Sequence, residues 1–230
     1  MNVFCVIPAR GGSKRIPRKN LVDFWGKPII GHAIETAKGS ELIKEVFVST
    51  EDTEISNVAK RYGATVPRLR AKELADDFTS TNEVIKDAIS MIGEEKSNQC
   101  VIICLYPTAV LIDTKTIDNA IRKFFEGNMR SPQMSIARYP HPIERAFKKV
   151  EDHYLANQPE NIAKRTQDLE EKFFDAGQFY IGTSKQWTTD RLKTGPFSGY
   201  ILSRMQFVDI DNIEDLEFAK KLHKLNLPDF

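Results

Sequence analysis

Five consecutive apolar residues, Val3-Phe4-Cys5-Val6-Ile7, run straight into a loop, residues 8–20, that holds five cations and no anion. A short, continuous, branched-rich apolar run reads as a strand covered on both faces, the mark of a parallel sheet between layers of helices. The loop then leaves the carboxyl end of that strand, the edge where open α/β sheets gather their ligands. The alternation continues through the first 140 residues. Residues 45–50 and 101–105 read as further strands. Helical spacing links Ile55, Val58, Ala59 and Tyr62, closed by Gly63, and recurs at Val84, Ile85, Ala88, Ile89 and Ile92. A third helix, capped by Asp113 or Thr114, runs to about Phe125. This order predicts an α/β fold: a mostly parallel Rossmann-like sheet flanked by helices, in one domain over 1–230.

From 139 to 175 the rhythm breaks. The stretch is polar, carries Pro140, Pro142 and Pro159, and has short strand candidates near Phe147 and Tyr154, which predicts a hairpin-like excursion from the sheet. Core-like patterning resumes at Gly177-Gln178-Phe179-Tyr180-Ile181-Gly182. Phe207-Val208-Asp209-Ile210-Asp211 reads as a strand, followed by a helix with Leu216, Phe218, Ala219, Leu222 and Leu225 on one side.

Charge narrows the function. The chain has 33 Lys+Arg against 32 Asp+Glu, so it has no global basic field. Binding to a nucleic-acid polymer calls for basic residues spread over a face with interleaved aromatics, whereas the excess here is confined to one glycine-bearing loop; no nucleic-acid partner is expected. No apolar run approaches the ~20 residues of a membrane helix. Cys5, Cys100 and Cys104 sit inside apolar runs, as buried thiols do, and Met1-Asn2-Val3-Phe4-Cys5 lacks the basic start of a secretory signal, so a cytoplasmic location is expected.

Within the loop, Gly11 and Gly12 let backbone N–H groups approach an anion, and Ser13 adds a hydroxyl donor. Arg10, Arg15 and Arg18 supply planar forks for phosphate oxygens, and Lys14 and Lys19 compact charges. The pattern is neither a Walker A loop nor a dinucleotide fingerprint, because the required second glycine and Gly-x-Gly-x-x-Gly spacing are missing. Opposite it in sequence, Asp209 and Asp211 occupy alternate positions, so their carboxylates share a face and repel unless a cation intervenes. Mg²⁺ held by one or two carboxylates plus triphosphate oxygens is the usual solution. The competing reading is that Asp211 or Asn212 caps the last helix, which accounts for one carboxylate and not two.

These residues resemble a known family. Ile7-Pro8-Ala9-Arg10-Gly11-Gly12-Ser13-Lys14-Arg15-Ile16-Pro17-Arg18-Lys19-Asn20 is similar to the opening signature of the acylneuraminate cytidylyltransferases, which activate nonulosonic acids as CMP-sugars. Val48-Ser49-Thr50-Glu51-Asp52 resembles that family's "VSTDD", and Leu69-Arg70-Ala71-Lys72-Glu73-Leu74-Ala75-Asp76-Asp77 its "RPxELAxD", with Ala71 in place of proline. Tyr106-Pro107-Thr108-Ala109 resembles "QPTSPLR", and Val208-Asp209-Ile210-Asp211 carries its "DID". Tyr106 stands where sialic-acid members have Gln, and Val110-Leu111-Ile112 replaces "PLR". These departures, with Tyr139-Pro140-His141-Pro142-Ile143-Glu144-Arg145-Ala146, Arg165-Thr166-Gln167-Asp168-Leu169 and Phe174-Asp175-Ala176-Gly177-Gln178-Phe179-Tyr180, resemble the pseudaminic acid branch.

The resemblance implies a nucleotidyltransferase fold with a dimerisation excursion at 139–175, and hence a homodimer. It implies transfer of CMP from CTP to the anomeric hydroxyl of pseudaminic acid, the alternatives being legionaminic, sialic or 3-deoxy-octulosonic acid, or a regulator that binds nucleotide without turnover. It assigns CTP to Arg10, Gly11, Gly12, Ser13, Lys14, Lys19 and Asn20, Mg²⁺ to Asp209 and Asp211, and catalysis to Arg10, Lys19 and Asp211. Tyr106, Thr108, Arg165, Gln178 and Tyr180 are the sugar-binding candidates, with Arg165 for its carboxylate. His141, between prolines, reads as structural or substrate-adjacent and not as a base, Phe179 as core, and Trp25 and Trp187 as packing.

Overall fold

A computed structural model describes residues 1–93, 99–189 and 191–226. Six strands form the central sheet. They are β1 (Val3–Pro8), β4 (Ile43–Ser49), β5 (Val101–Leu105), β6 (Gln133–Arg138), β9 (Phe173–Thr183) and β10 (Ser198–Ile201), in the order β10-β6-β9-β5-β1-β4. Two small antiparallel ribbons lie outside it: β2 (Asp23–Phe24) with β3 (Lys27–Pro28), and β7 (Phe147–Val150) with β8 (His153–Ala156). The helices are α1 (Ile29–Gly39), α2 (Thr53–Arg61), α3 (Thr81–Ile92), α4 (Thr114–Glu126), the short α5 (Ser184–Thr188) and α6 (Arg191–Thr194), and α7 (Ile213–Asn226).

β1 lies between β4 and β5, parallel to both, and β10 runs parallel to β6. The continuous apolar run of β1 serves both faces. Val3, Cys5 and Ile7 pack with Ile30, Ala33 and Ile34 of α1, Ile55 and Ala59 of α2, and Ile117 and Ile121 of α4. Phe4 and Val6 pack on the other side with Ile85, Ala88, Ile89 and Ile92 of α3 and with Trp187. Trp187 is buried and its indole N–H donates to the Ile102 carbonyl at 3.1 Å, the packing role expected of it. Trp25, by contrast, stands half exposed with its indole donating to the Lys220 carbonyl at 3.1 Å. A third apolar cluster, Ile16, Phe24, Ile29, Val110, Leu111, Val208, Ile210, Leu216, Ala219 and Leu222, docks α7 beneath the basic loop.

The caps fall on residues chosen for the purpose. Asp52 accepts from the Ile55 amide at the start of α2, Ser80 and Glu83 form a capping box on α3, and Asp113 accepts from the Thr116 amide on α4. Gly63, at φ +84°, closes α2 in a backbone region that side chains rarely adopt.

One expectation is corrected. Residues 207–211 are not a strand: their backbone joins no ladder. The alternation is kept without it, since Val208 and Ile210 are buried while Asp209 and Asp211 face outward. The sheet is mostly parallel as expected, with strand β9 running antiparallel between β5 and β6. The chain returns from β6 through the excursion with no crossover helix, and a direct return places a strand antiparallel to its predecessor. That excursion occupies the stretch between β6 and β9, with the β7–β8 ribbon at its centre, and leaves Phe147, Val150, Tyr154 and Leu155 exposed.

Candidate active site

The loops after β1, β4 and β5 meet at the carboxyl edge of the sheet. The basic loop is fixed from below by Ala9 at its entry and Ile16 at its middle, both buried, Ile16 at 2% exposure. Asn20, also buried, donates from Nδ2 to the Arg10 carbonyl at 2.9 Å and draws the two ends of the loop together. Gly11 lies so close to the cap of α2 that a Cβ there would sit 2.6 Å from Asp52 Oδ2, whereas a Cβ at Gly12 would meet open space. Glycine is therefore required by packing at 11 and not at 12.

The loop contains no anion, but the fold supplies one to each of its five cations. Asp77 accepts from Arg10 Nη1 at 2.7 Å and from Lys14 Nζ. These two cations, Lys14 first, hold the Asp77 carboxyl below the usual carboxylate range. Asp52 and Glu54 receive Arg18, which likewise holds Asp52 down. Asp211 Oδ1 pairs with Arg15 at 2.8 Å and lies 3.6 Å from Lys19 Nζ. Lys19 also donates to the Ile210 carbonyl at 2.6 Å, so it ties the basic loop to the acidic segment.

The acidic segment is not spent on capping. Asn212 caps α7 by accepting from the Asp215 amide at 3.0 Å, and Asp215 accepts in return from the Asp211 and Asn212 amides, both at 2.9 Å. Neither the Asp209 nor the Asp211 side chain is used by that cap, and Asp211 is the one that meets Arg15 and Lys19. Desolvation by the surrounding protein, followed by repulsion from Asp211, pushes the Asp209 carboxyl above its ordinary range. No cluster of three or more His, Cys, Asp or Glu able to hold a metal occurs among the described residues. Two outward carboxylates that repel each other suit a hard divalent cation whose remaining ligands are phosphate oxygens.

Two adjoining clefts open beside this pair of loops. The first, of about 280 Å³, is lined by Arg10, Lys19, Asn20, Arg70, Asp77, Tyr106 and Thr108 among others. The second, of about 240 Å³, shares Thr81 and Tyr106 with it and is lined further by Met134, Asp175, Tyr180 and Leu192. The Tyr106 hydroxyl pairs with Thr81 Oγ1 at 2.6 Å, Tyr180 donates to Asp175, and the two rings meet edge to face at 5.9 Å. Burial raises both phenols above their ordinary range, so at neutral pH they are neutral hydrogen-bonding groups.

The structure thus brings Arg10, Lys19, Asn20, Tyr106 and Thr108 to one cleft and Tyr180 to its neighbour, while Gly11, Gly12, Ser13 and Lys14 lie on the same basic loop but line neither cleft. Two candidates lie elsewhere. Gln178 is 1% exposed and faces neither cleft, because Nε2 donates to the Ala176 carbonyl at 2.8 Å and reaches the Val208 carbonyl at 3.4 Å. It braces the acidic segment instead of presenting itself to a ligand. Arg165 is exposed on the excursion, at the start of the single turn Thr166–Asp168, and lines neither cleft of its own chain. Sequence reasoning singled out neither Arg70, a buried guanidinium on the wall of the first cleft, nor Asp77. Both belong to the 69–77 stretch that carried the resemblance, but its spacing alone does not say which of its charges turns inward.

Comparison with known proteins places this arrangement. A family model described as cytidylyltransferase matches residues 4–228. The pseudaminic acid cytidylyltransferase of Campylobacter jejuni subsp. jejuni serotype O:2 is 42% identical over 228 residues, covering 98% of each chain. The CMP-N,N'-diacetyllegionaminic acid synthase of Legionella pneumophila is 30% identical over 238 aligned residues, again covering 98% of each chain. Among solved structures, a CMP:2-keto-3-deoxy-manno-octonic acid synthetase in complex with CTP superposes with a TM-score of 0.73, covering 99% of this chain and 100% of that one. At 15% identity this is a likeness of fold.

Proposed function

The chain belongs to the cytidylyltransferase family, and on that premise we propose that it transfers CMP from CTP to the anomeric hydroxyl of pseudaminic acid, releasing pyrophosphate. The observation that carries the reading is the meeting, at one sheet edge, of a five-cation loop with a pair of carboxylates left uncommitted by the cap of α7. The choice of sugar rests on the relative of that name, which matches 98% of the chain at 42% identity, against 30% for the legionaminic acid relative.

In this reading the anomeric oxygen attacks the α-phosphorus of CTP, the bond from that phosphorus to the bridging β-oxygen breaks, and the hydroxyl proton leaves to solvent. Negative charge grows on the α-phosphoryl oxygens and on the departing pyrophosphate, so preorganised cations supply much of the catalysis. Arg10 and Lys14 are poised for this, since both already hold a carboxylate that a phosphate can replace. Lys19 brings a compact charge between the loop and Asp211. Gly11, Gly12, Ser13 and Asn20 shape the loop around the phosphates, and Arg18, committed to Asp52 and Glu54, anchors it. Asp209 and Asp211 would hold Mg²⁺, which, when bound, neutralises triphosphate charge and polarises the reacting phosphorus.

Tyr106, Thr108 and Tyr180 are proposed to contact the acid and Arg165 to take its carboxylate, while Gln178 braces the acidic segment through the Val208 carbonyl. We further propose a homodimer formed through the excursion, supported by its exposed Phe147, Val150, Tyr154 and Leu155. A cytoplasmic location is proposed because the reaction draws on the cellular CTP pool; no helix among the described residues is long and apolar enough to cross a membrane.

The test is incubation with CTP, Mg²⁺ and pseudaminic acid, with mass-spectrometric detection of the conjugate and assay of pyrophosphate. One conjugate per pyrophosphate is expected. Conversion of CTP without a conjugate, or no conversion by protein that binds CTP, would contradict the proposal.

A further inference from the structure

The carboxylate of Glu51, just past the end of β4, holds two parts of the nucleotide site at once. Its Oε1 accepts from the Gly11 amide at 2.7 Å, and its Oε2 accepts from Arg70 Nη2 at 3.0 Å. Arg70 is the more demanding partner. Its side chain is 2% exposed, its backbone amide donates to the Thr50 carbonyl at 2.8 Å, and it lies on the wall of the first cleft. Burial pulls the Arg70 guanidinium down from its ordinary range, and the charge of Glu51 is the first influence opposing that pull. An uncompensated guanidinium at this depth would be strongly disfavoured.

Gly11 is the other constraint. Its amide is directed at Glu51, so it is already engaged and is not one of the donors left to a ligand. The same residue is pressed against Asp52, so the entry of the basic loop has little room to drift. Glu51 does not line either cleft.

We propose that Glu51 is the positioning residue of the nucleotide site: one carboxylate sets the entry of the phosphate loop through the Gly11 amide and the cleft wall through Arg70, fixing the separation of the two. The inference rests on the reading of this cleft as the CTP site. Side-chain length matters to it. An aspartate, the residue in the "VSTDD" pattern this segment resembles, is one methylene shorter and cannot span both partners at these distances without moving the loop towards β4.

The experiment measures CTP binding by calorimetry together with steady-state constants for Glu51→Gln, Glu51→Asp and Glu51→Ala. In Glu51→Gln the amide can accept from Gly11 but presents an N–H to Arg70. Losing a charge-assisted contact of this kind corresponds to a roughly ten- to hundredfold change in affinity. The expected result is a CTP dissociation constant and KM raised by at least about tenfold in Glu51→Gln and Glu51→Ala, with Glu51→Asp intermediate. The KM for the acid should stay within about twofold of the parent value in Glu51→Gln. Parent-like CTP affinity in folded Glu51→Gln and Glu51→Ala would overturn the inference. So would equal losses in every constant, tracking a lower Tm, since that is the signature of general destabilisation. Parent protein that does not bind CTP would instead overturn the reading of the cleft on which the inference stands.

Discussion

Replacing Lys19 by Met keeps the stem and removes only the ammonium group, which isolates the tie between the basic loop and the acidic segment. That group donates to the Ile210 carbonyl at 2.6 Å and lies 3.6 Å from Asp211 Oδ1, with the side chain 21% exposed. A hydrogen bond involving a charged group contributes about 1.5–3 kcal/mol when well shielded. The partial exposure lets water take over some of the contact, so the expected loss of folding stability is nearer about 1 kcal/mol. For a chain of this size that lowers Tm by about 2–4 °C, and Ile16 and Asn20 continue to hold the loop. If Lys19 serves the proposed CTP site, the effect on CTP is larger than the loss of stability: a weakening of roughly ten- to hundredfold is expected. Differential scanning calorimetry and CTP titration on the same preparation separate the two. Parent-level CTP affinity with the modest Tm loss would refute the assignment of Lys19 to the nucleotide and leave it a purely structural tie.

Asp211→Ala is expected to fold normally, because Asn212 and Asp215 make the cap of α7 without its side chain, and to retain little turnover in Mg²⁺; substantial activity at saturating metal would remove it from the metal site. Gly11→Ala should disrupt the loop and CTP use together, since its Cβ would meet Asp52, while Gly12→Ala should leave the unliganded fold at parent stability. His223 sits among Phe24, Trp25 and His32, and burial lowers its readiness to take a proton, with His32 adding to the effect. The unfolded chain then binds that proton more readily, so stability should fall as pH drops below the ordinary imidazole value of about 6.5, and His223→Gln should flatten that limb of a Tm-versus-pH curve. If the proposed dimer forms through the excursion, changing Phe147 and Tyr154 together to Ser should shift the sedimenting mass from dimer to monomer in analytical ultracentrifugation; a dimeric mass unchanged by the substitutions would place the interface elsewhere.

The features legible in the sequence were those carried by side-chain period. Val3-Phe4-Cys5-Val6-Ile7 announced a two-faced strand because each face requires its own apolar set, and the structure divides these residues between the two cores. The same period misleads at 207–211. Val208 and Ile210 point inward and Asp209 and Asp211 outward as in a strand, but alternation reports side chains and not backbone partners, and this segment has no ladder. The direction of β9 was likewise hidden, since it depends on how the chain returns from β6.

In the site, the phosphate-type loop was visible because five cations and two glycines are contiguous. Its counter-ions were not. Glu51 lies 40 residues from Gly11, and Asp77 lies 67 from Arg10, so only folding shows which acids meet which bases. Gln178 illustrates the converse: a polar residue in a suggestive motif is taken up by the backbone around it.

What most needs testing in this protein is the pairing of CMP transfer with one nonulosonic acid. The direct measurement is pyrophosphate release from CTP and Mg²⁺ with pseudaminic, legionaminic, sialic and 3-deoxy-octulosonic acids assayed in parallel. Release with pseudaminic acid is expected at a kcat/KM well above that for the other three. Equal or faster release with another acid would contradict the substrate assignment, and silence with all four from protein that binds CTP would contradict the catalytic one.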